Sequence, residues 1–234
     1  MGLSHSWQVS LKEAKEIQEK LRQKVITQDR LGNVQKVAGV DAICSRDEGN
    51  ITAAAVVLSY PDLKLINHAV STMKLQFPYV PGLLSFREAP VILSALKKLK
   101  EDPDLIICDG QGIAHPRRFG IACHIGVLTG IPSIGVAKKR LWGEHDLVSD
   151  KKGSWVPLKD KGELIGVVLR TRRKVKPVFV SPGHKISLKT ATYYVIGCVK
   201  KYRLPEPIRW AHRLAGEKRL MNLTRRAVQE ERQF

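Results

Sequence analysis

The sequence predicts an α/β protein: a central mixed sheet with five core strands, an antiparallel meander followed by parallel strands, flanked by helices. Two observations carry that prediction. Three β-rich runs follow one another across turn-type breaks, and after them strand-length apolar runs alternate with segments at helical spacing. The chain opens on Ser10-Leu-Lys-Glu13, a capping-box pattern, and Leu11, Ala14, Ile17, Leu21 and Val25 continue as an apolar stripe, so the first element is an amphipathic helix. Val37–Cys44, Ile51–Tyr60 and Leu65–Leu75 are the meander strands, separated by Arg46-Asp-Glu-Gly-Asn50 and Pro61-Asp62. A helix from Ser85 to about Lys100, a strand at Leu105–Cys108, a helix near Phe119–Thr129 and a strand at Ser133–Ala137 form the alternating part. Strands at Leu164–Arg170 and Val178–Val180, a helix from about Leu188 to Tyr202 and a basic C-terminal helix complete the chain. No internal repeat or low-complexity segment interrupts it.

The composition bounds the function. Forty Lys and Arg against 22 Asp and Glu give a formal net charge of +18, which favours nucleic acid or an anionic surface as partner. The excess is uneven: the chain carries a net +3 through Ala137 and +15 beyond it. Within the second part, Arg170-Thr-Arg-Arg-Lys-Val-Lys176 reads equally as a phosphate-backbone contact or as a solvated basic loop. With 234 residues, 43% hydrophobic, and no Ser/Gly/Pro-rich linker, the expectation is one domain over 1–234, acting as a monomer. Cys44, Cys108, Cys123 and Cys198 lie in apolar surroundings without a CxxC pair, so they read as reduced core thiols rather than zinc ligands or disulfides. No apolar stretch approaches the roughly 20 residues of a membrane span, and no signal-peptide core is present, so the expected location is cytoplasmic. Met1-Gly2-Leu-Ser-His-Ser6 matches the loose myristoylation pattern, a match short enough to arise by accident.

Two aspartates stand out against this basic background, because each ends a short apolar run: Val37-Ala-Gly-Val-Asp41 and Leu105-Ile-Ile-Cys-Asp109. A carboxylate at the end of a buried strand costs solvation free energy unless a cation or donor satisfies it. Three meander strands, a helix, a fourth strand, a helix and a fifth strand is the order of a ribonuclease-H-like core. In that core the first and fourth strands are neighbours, which would bring Asp41 and Asp109 together. Paired carboxylates would repel unless a divalent ion sat between them, and hard oxygen ligands suit Mg²⁺, with Mn²⁺ as a substitute. Glu88 is a third candidate, although Ser85-Phe-Arg-Glu88 is itself a capping-box pattern at a helix start. Just before it, Phe77-Pro-Tyr-Val-Pro-Gly-Leu-Leu84 is apolar, stiff and free of charge, yet punctuated like a loop. It reads as an exposed wedge of the kind that opens a duplex, or alternatively as a Pro-braced core loop.

These residues resemble the endonuclease V family. The matching segments are Val-Ala-Gly-Val-Asp41, Phe77 through Glu88, Asp109-Gly-Gln-Gly-Ile-Ala-His-Pro-Arg-Arg-Phe-Gly120, Ile-Gly-Val-Ala-Lys138 and Tyr-Arg-Leu-Pro-Glu-Pro-Ile-Arg-Trp-Ala-His212, in order over nearly the whole chain. The resemblance implies a ribonuclease-H-like fold and Mg²⁺-dependent hydrolysis of the second phosphodiester bond 3′ to a deaminated base, chiefly hypoxanthine, leaving 3′-hydroxyl and 5′-phosphate ends. It implies that Asp41 and Asp109 bind the metal, that Glu88 acts through water on metal or nucleophile, and that Lys138 meets the phosphate. His212 completes the implied catalytic set, at a position where much of the family holds aspartate. For substrate reading the resemblance implies Pro78, Tyr79, Val80 and Pro81 as the wedge, Tyr79 as its stacking ring, and Gly82, Leu84, Gly110 and Ile121 as the base pocket. His115 would contact substrate backbone or base; the plainer reading is a loop histidine bonded to nearby carbonyls. His124 reads as structural, and His184 as a turn cap without chemistry.

The expected partner is DNA containing deaminated bases, with inosine-containing RNA left open because the family has members of either preference. Two other classes keep the same carboxylates or charge. A junction- or hybrid-specific nuclease would share the fold without needing the wedge, and a catalytically silent nucleic-acid-binding module would need only the basic face.

Overall fold

The computed structural model describes residues 5–44 and 49–231, with side chains described through Lys218. The myristoylation match and the break at Arg46-Asp-Glu therefore lie largely outside the described residues. Helix α1 (Leu11–Arg22) starts at Ser10 with the expected capping box: Glu13 N–H donates to the Ser10 hydroxyl, and the Glu13 carboxylate accepts from Ser10 N–H. Strands β1 (Lys36–Cys44), β2 (Asn50–Ser59) and β3 (Leu65–Lys74) form the antiparallel meander. Helix α2 (Leu84–Leu96) leads to β4 (Leu105–Asp109), α3 (Ile121–Thr129) and β5 (Ser133–Ala137). Then come β6 (Trp155–Asp160), β7 (Glu163–Leu169), β8 (Val178–His184), α4 (Leu188–Gly197) and α5 (Glu206–Glu231).

All strands join one eight-stranded sheet in the order β3-β2-β1-β4-β5-β8-β7-β6. Strands β1, β4 and β5 are mutually parallel neighbours, which is the ribonuclease-H-like core that the element order predicts. The sheet then continues through three antiparallel strands, so it is larger than its five-stranded core. Strand β6 escapes prediction because Pro157 interrupts its run; proline lacks a ladder donor and is tolerated here because β6 is an edge. Strand β8 runs on past Val180 through Ser181-Pro-Gly to His184, with a register irregularity opposite Ser133 and Ile134 that absorbs Pro182. His184 is thus a strand residue, not a turn cap, and its Nδ1 accepts from Ile26 N–H at 3.3 Å. Helices α2 and α4 end earlier than expected, at Leu96 and Gly197.

The two faces of the sheet carry separate apolar layers. Val37, Leu105, Ile107, Ile134 and Val136 pack with Ile208, Ala211 and Ala191 on the side of α4 and α5. Ala38, Val40, Ile106 and Cys108 pack with Ala89, Ile92, Ala122 and Ile125 on the side of α2 and α3. At Gly39 helix α5 rests on the strand backbone itself: a Cβ there would lie 2.0 Å from the Pro207 carbonyl carbon. Only glycine admits that approach.

Candidate active site

Strand register brings the two aspartates together. Val40 pairs with Cys108, so Asp41 and Asp109 are the next step at the same ends of parallel β1 and β4. Side chains alternate along a strand. Asp41 therefore shares the face of Val37 and Gly39, and Asp109 that of Leu105 and Ile107, which is the α5 face for both.

The Gly39 contact sets the third member. From Ile208 the helix advances roughly 6 Å over four residues to His212, while β1 advances roughly 6.6 Å over two residues from Gly39 to Asp41. His212 arrives over the strand end, its Nδ1 donating to Asp41 Oδ2 at 2.6 Å. The other oxygen, Asp41 Oδ1, accepts from Ala42 N–H at 2.9 Å. Lys138, just past β5, places its ammonium on Asp109 Oδ2.

Glu88 reaches this centre from α2, and it is not a cap. The N-cap position is Leu83, which makes no side-chain capping bond, and the Ser85 hydroxyl faces His124 Nδ1 at 3.0 Å instead. Burial pushes the Glu88 pKa up to about 8, with Asp41 and then Asp109 adding to the rise. Asp109 is also raised, by burial first and by Asp41 second. Bonding to Asp41 raises His212; burial opposes charge on Lys138, but Asp109 carries it above its ordinary value.

Asp41 and Asp109 thus stand at neighbouring strand ends with Glu88 in electrostatic reach of both, and burial first, then the two aspartates, push the Glu88 carboxyl up. That donor set is all hard oxygen and fits a small divalent cation. Among the described residues no three His, Cys, Asp or Glu side chains converge into a protein cage. A Mg²⁺ site does not need one, since it normally takes one or two carboxylates and keeps several waters.

Beside the carboxylates lies a cavity of about 410 Å³. Tyr79, Val80, Pro81, Gly82, Leu84, Gly110, His115 and Ile121 all line it, together with Asp109 and Lys138. Pro78 lies outside it and is exposed. The Phe77–Leu84 segment is exposed at Pro78, Tyr79 and Pro81, with the Tyr79 residue 68% exposed, while Phe77 and Leu83 anchor it in a cluster with Phe86 and Ala14. That is an exposed projection rather than a core loop.

His115 takes the plainer of its two readings in bonding terms. Nδ1 accepts from Arg117 N–H at 3.1 Å and Nε2 donates to Gly82 O at 2.9 Å, so both ring nitrogens are engaged inside the protein. His124 is fully buried between His5 and Ser85, as a structural residue should be. All four cysteines are free, with Cys108, Cys123 and Cys198 buried. In the basic loop Arg170 donates to the carbonyls of Ser149, Val148 and Val175, while Arg173, Lys174 and Lys176 are exposed.

Sequence reasoning missed Gln18, Gln111, Lys139 and Leu141 in the cavity wall, and Arg203 behind it. Arg203 Nη2 donates to Lys138 O and Pro177 O, both at 2.7 Å, and Gln111 Nε2 donates to Lys139 O at 3.1 Å, so the two grip consecutive peptides of the Lys138 segment. Arg203 Nε and Gln111 Oε1 are buried without a partner among the described residues. The available signal was position alone: Gln111 lies in the Asp109-Gly-Gln-Gly segment and Arg203 in the segment ending at His212.

The family model described as Endonuclease V matches residues 19–213. A protein named Endonuclease V from Rippkaea orientalis is 56% identical over 218 residues, 92% of this chain and 95% of the relative. The crystal structure of Endonuclease V from Streptomyces avermitilis aligns with a TM-score of 0.88 at 41% identity, over 95% of this chain and 98% of that one. Endonuclease V from Ciona intestinalis, crystallised with a 24mer DNA containing an inosine followed by a ribo-adenosine, aligns with a TM-score of 0.78 at 32% identity, over 91% and 98%. On sequence, fold and extent together, the chain belongs to the Endonuclease V family of nucleases.

Proposed function

We propose that this nuclease is a Mg²⁺-dependent DNA-repair enzyme that extrudes a deaminated base, chiefly hypoxanthine, and hydrolyses the second phosphodiester bond on its 3′ side, leaving 3′-hydroxyl and 5′-phosphate ends. One observation carries the reading: a single cavity is walled on one side by an exposed apolar wedge and on the other by Asp109 and Lys138. A base turned into the cavity leaves its own strand beside the carboxylates. The volume lies within the ~300–1,000 Å³ of ligand sites. Asp41 and Asp109 are the residues that would hold Mg²⁺, which when bound stabilises charge on the phosphate and acidifies a water.

The protein's own groups do the rest. Lys138 offers its ammonium to a non-bridging phosphate oxygen. Glu88, whose carboxyl is raised by its surroundings in the ion-free protein, would ionise once a cation offsets the charge of Asp41 and Asp109, and as the carboxylate would orient the attacking water or accept its proton. His212 holds Asp41 in place by its hydrogen bond. Leu84 and Ile121 sit in the first turns of α2 and α3, where helix geometry leaves N–H groups without an intrahelical acceptor. Such donors favour the 6-keto oxygen of hypoxanthine over the 6-amino group of adenine. Arg173, Lys174, Lys176, Lys139 and Arg140 are free to meet flanking phosphates. The same pocket chemistry accepts inosine in RNA. We infer a cytoplasmic location, supported by the unpaired cysteines, and a monomer; no helix among the described residues is long and apolar enough to cross a membrane.

Matched oligonucleotides carrying one inosine in DNA, in RNA or nowhere test the reading. Cleavage confined to inosine strands, one bond beyond the adjacent linkage, is expected with Mg²⁺. Equal cutting of undamaged or junction substrates would move the assignment to another ribonuclease-H-like nuclease, and binding without cutting to a silent module. Tyr79→Ala is expected to weaken binding to inosine DNA by about 1–3 kcal/mol, the scale of one stacked base, with much less effect on undamaged DNA. Fluorescence anisotropy on both duplexes checks this; equal losses would remove the wedge role.

A further inference from the structure

The carbonyl of Gly82, at the base of the wedge, accepts three side-chain hydrogen bonds. Gln18 Nε2 donates at 3.0 Å, His115 Nε2 at 2.9 Å and Arg117 Nη2 at 2.7 Å. Two lone pairs need two partners, so a third donor, and a charged one, exceeds what satisfaction of a buried carbonyl requires. The donors are themselves cross-linked. Arg117 Nε donates to Gln18 Oε1 at 2.6 Å, and Gln18 Nε2 also donates to Phe119 O at 3.1 Å. These contacts fix the orientation of the Gln18 amide: reversed, its oxygen would face two carbonyls and its NH₂ a guanidinium. The His115 tautomer is fixed likewise, because Nδ1 accepts from Arg117 N–H and leaves the ring proton on Nε2. Gly82 adopts φ +79°, a left-handed conformation that suits glycine and turns its carbonyl inward.

The three donors come from two places. Gln18 is the one polar residue that α1 buries, beside Ala14 and Leu21. His115 and Arg117 belong to the loop that leaves Asp109 at the end of β4. A single oxygen therefore ties the exposed wedge to the segment that begins at a proposed metal ligand. Both N–H donors of the Gln18 amide are spent on the Gly82 and Phe119 carbonyls, so its donor side acts through Gly82.

We propose that Gln18 and Arg117, with His115, are positioning residues that lock the wedge to the Asp109 loop and so set which phosphodiester bond is cut. This rests on the wedge reading above. A wedge fixed relative to the carboxylates presents one bond; a loosened wedge presents neighbouring bonds as well and discriminates bases less well.

The test is end-mapping of labelled inosine duplexes cut by Gln18→Met, Arg117→Met and the unsubstituted protein, alongside the ratio of kcat/KM on inosine and undamaged DNA. The proposal expects product ends spread over bonds adjacent to the wild-type site and a fall of about tenfold in that ratio, the scale of one buried hydrogen bond. Mn²⁺ affinity measured by titration stays at the wild-type value. Variants that only lose rate, with one product end and an unchanged ratio, show a structural role and overturn it. Gln18→Glu, which keeps the Arg117 contact but cannot donate to Gly82, is read in the same assay and decides the matter if Gln18→Met does not fold. Tyr79→Ala run in parallel separates the two ideas. If it leaves the ratio unchanged, the wedge reading falls; if it lowers the ratio while Gln18→Met and Arg117→Met cut cleanly at one bond, the clamp alone falls.

Discussion

Asp41→Ala or Asp109→Ala is expected to reduce cleavage by about three orders of magnitude or more, corresponding to loss of several kcal/mol of transition-state stabilisation. Recognition of inosine should survive in both. Neither aspartate belongs to the wedge; Asp41 lies outside the cavity wall, and Asp109 contributes one edge of it. The fold should survive too. Removing Asp41 leaves His212 without a partner, but that side chain is 58% exposed and water can satisfy it. Removing Asp109 frees Lys138, whose side chain is 40% exposed, and relieves the repulsion that burdens Glu88. Single-turnover cleavage with Mg²⁺, set against binding measured in EDTA, gives both quantities on one preparation. Either variant cutting at a rate near wild type would sink the metal-ligand assignment, and loss of binding equal to the loss of cleavage would make these aspartates recognition residues.

The sequence made Asp41 and Asp109 visible because a charge at the end of an apolar run violates the local pattern, and the element order supplied the adjacency that brings them together. What it could not supply was the face. That follows from Gly39, where helix and strand backbones touch and phase His212 onto Asp41. Glu88 illustrates a motif legible in its letters and misleading in its geometry. Ser85 lies inside the first turn rather than before it, so its hydroxyl goes to His124 and the carboxylate is free for the centre. Strand β6 was hidden by Pro157, whose tolerance at an edge depends on a sheet order that local pattern does not contain. Gln18 does leave a trace in the sequence: four residues after Ala14 and three before Leu21, it is a polar residue on the buried stripe of α1. A polar side chain there needs internal partners, and these lie far along the chain, 64 residues on at Gly82 and 99 on at Arg117.

Glu88 provides the second large effect, and its sign is fixed by linkage. In the ion-free folded protein its carboxyl titrates at about 8, against an ordinary 4.5, chiefly because it is buried and then because Asp41 and Asp109 lie close. Between those two values the folded state keeps a proton that the unfolded state has released. Stability from this group is therefore complete below about 4.5, declines as pH rises, and is lost above about 8. A tenfold difference in proton affinity between the two states is worth about 1.4 kcal/mol, so the loss is at most a few kcal/mol. In EDTA the melting temperature of the wild type should fall between pH 5 and pH 8 more steeply than that of Glu88→Gln, which has no charge to bury. At pH 8 the variant should melt on the order of 10 °C higher, taking about 2–4 °C per kcal/mol for a chain of this size. Cleavage should move the other way, falling ~10²–10⁴-fold in Glu88→Gln if the carboxylate handles the proton of the attacking water. A helix cap would behave differently, because glutamine serves a capping box as glutamate does. Parallel melting curves combined with full activity would return Glu88 to the role of an ordinary helix residue; a more stable, inactive variant would place it in the chemistry.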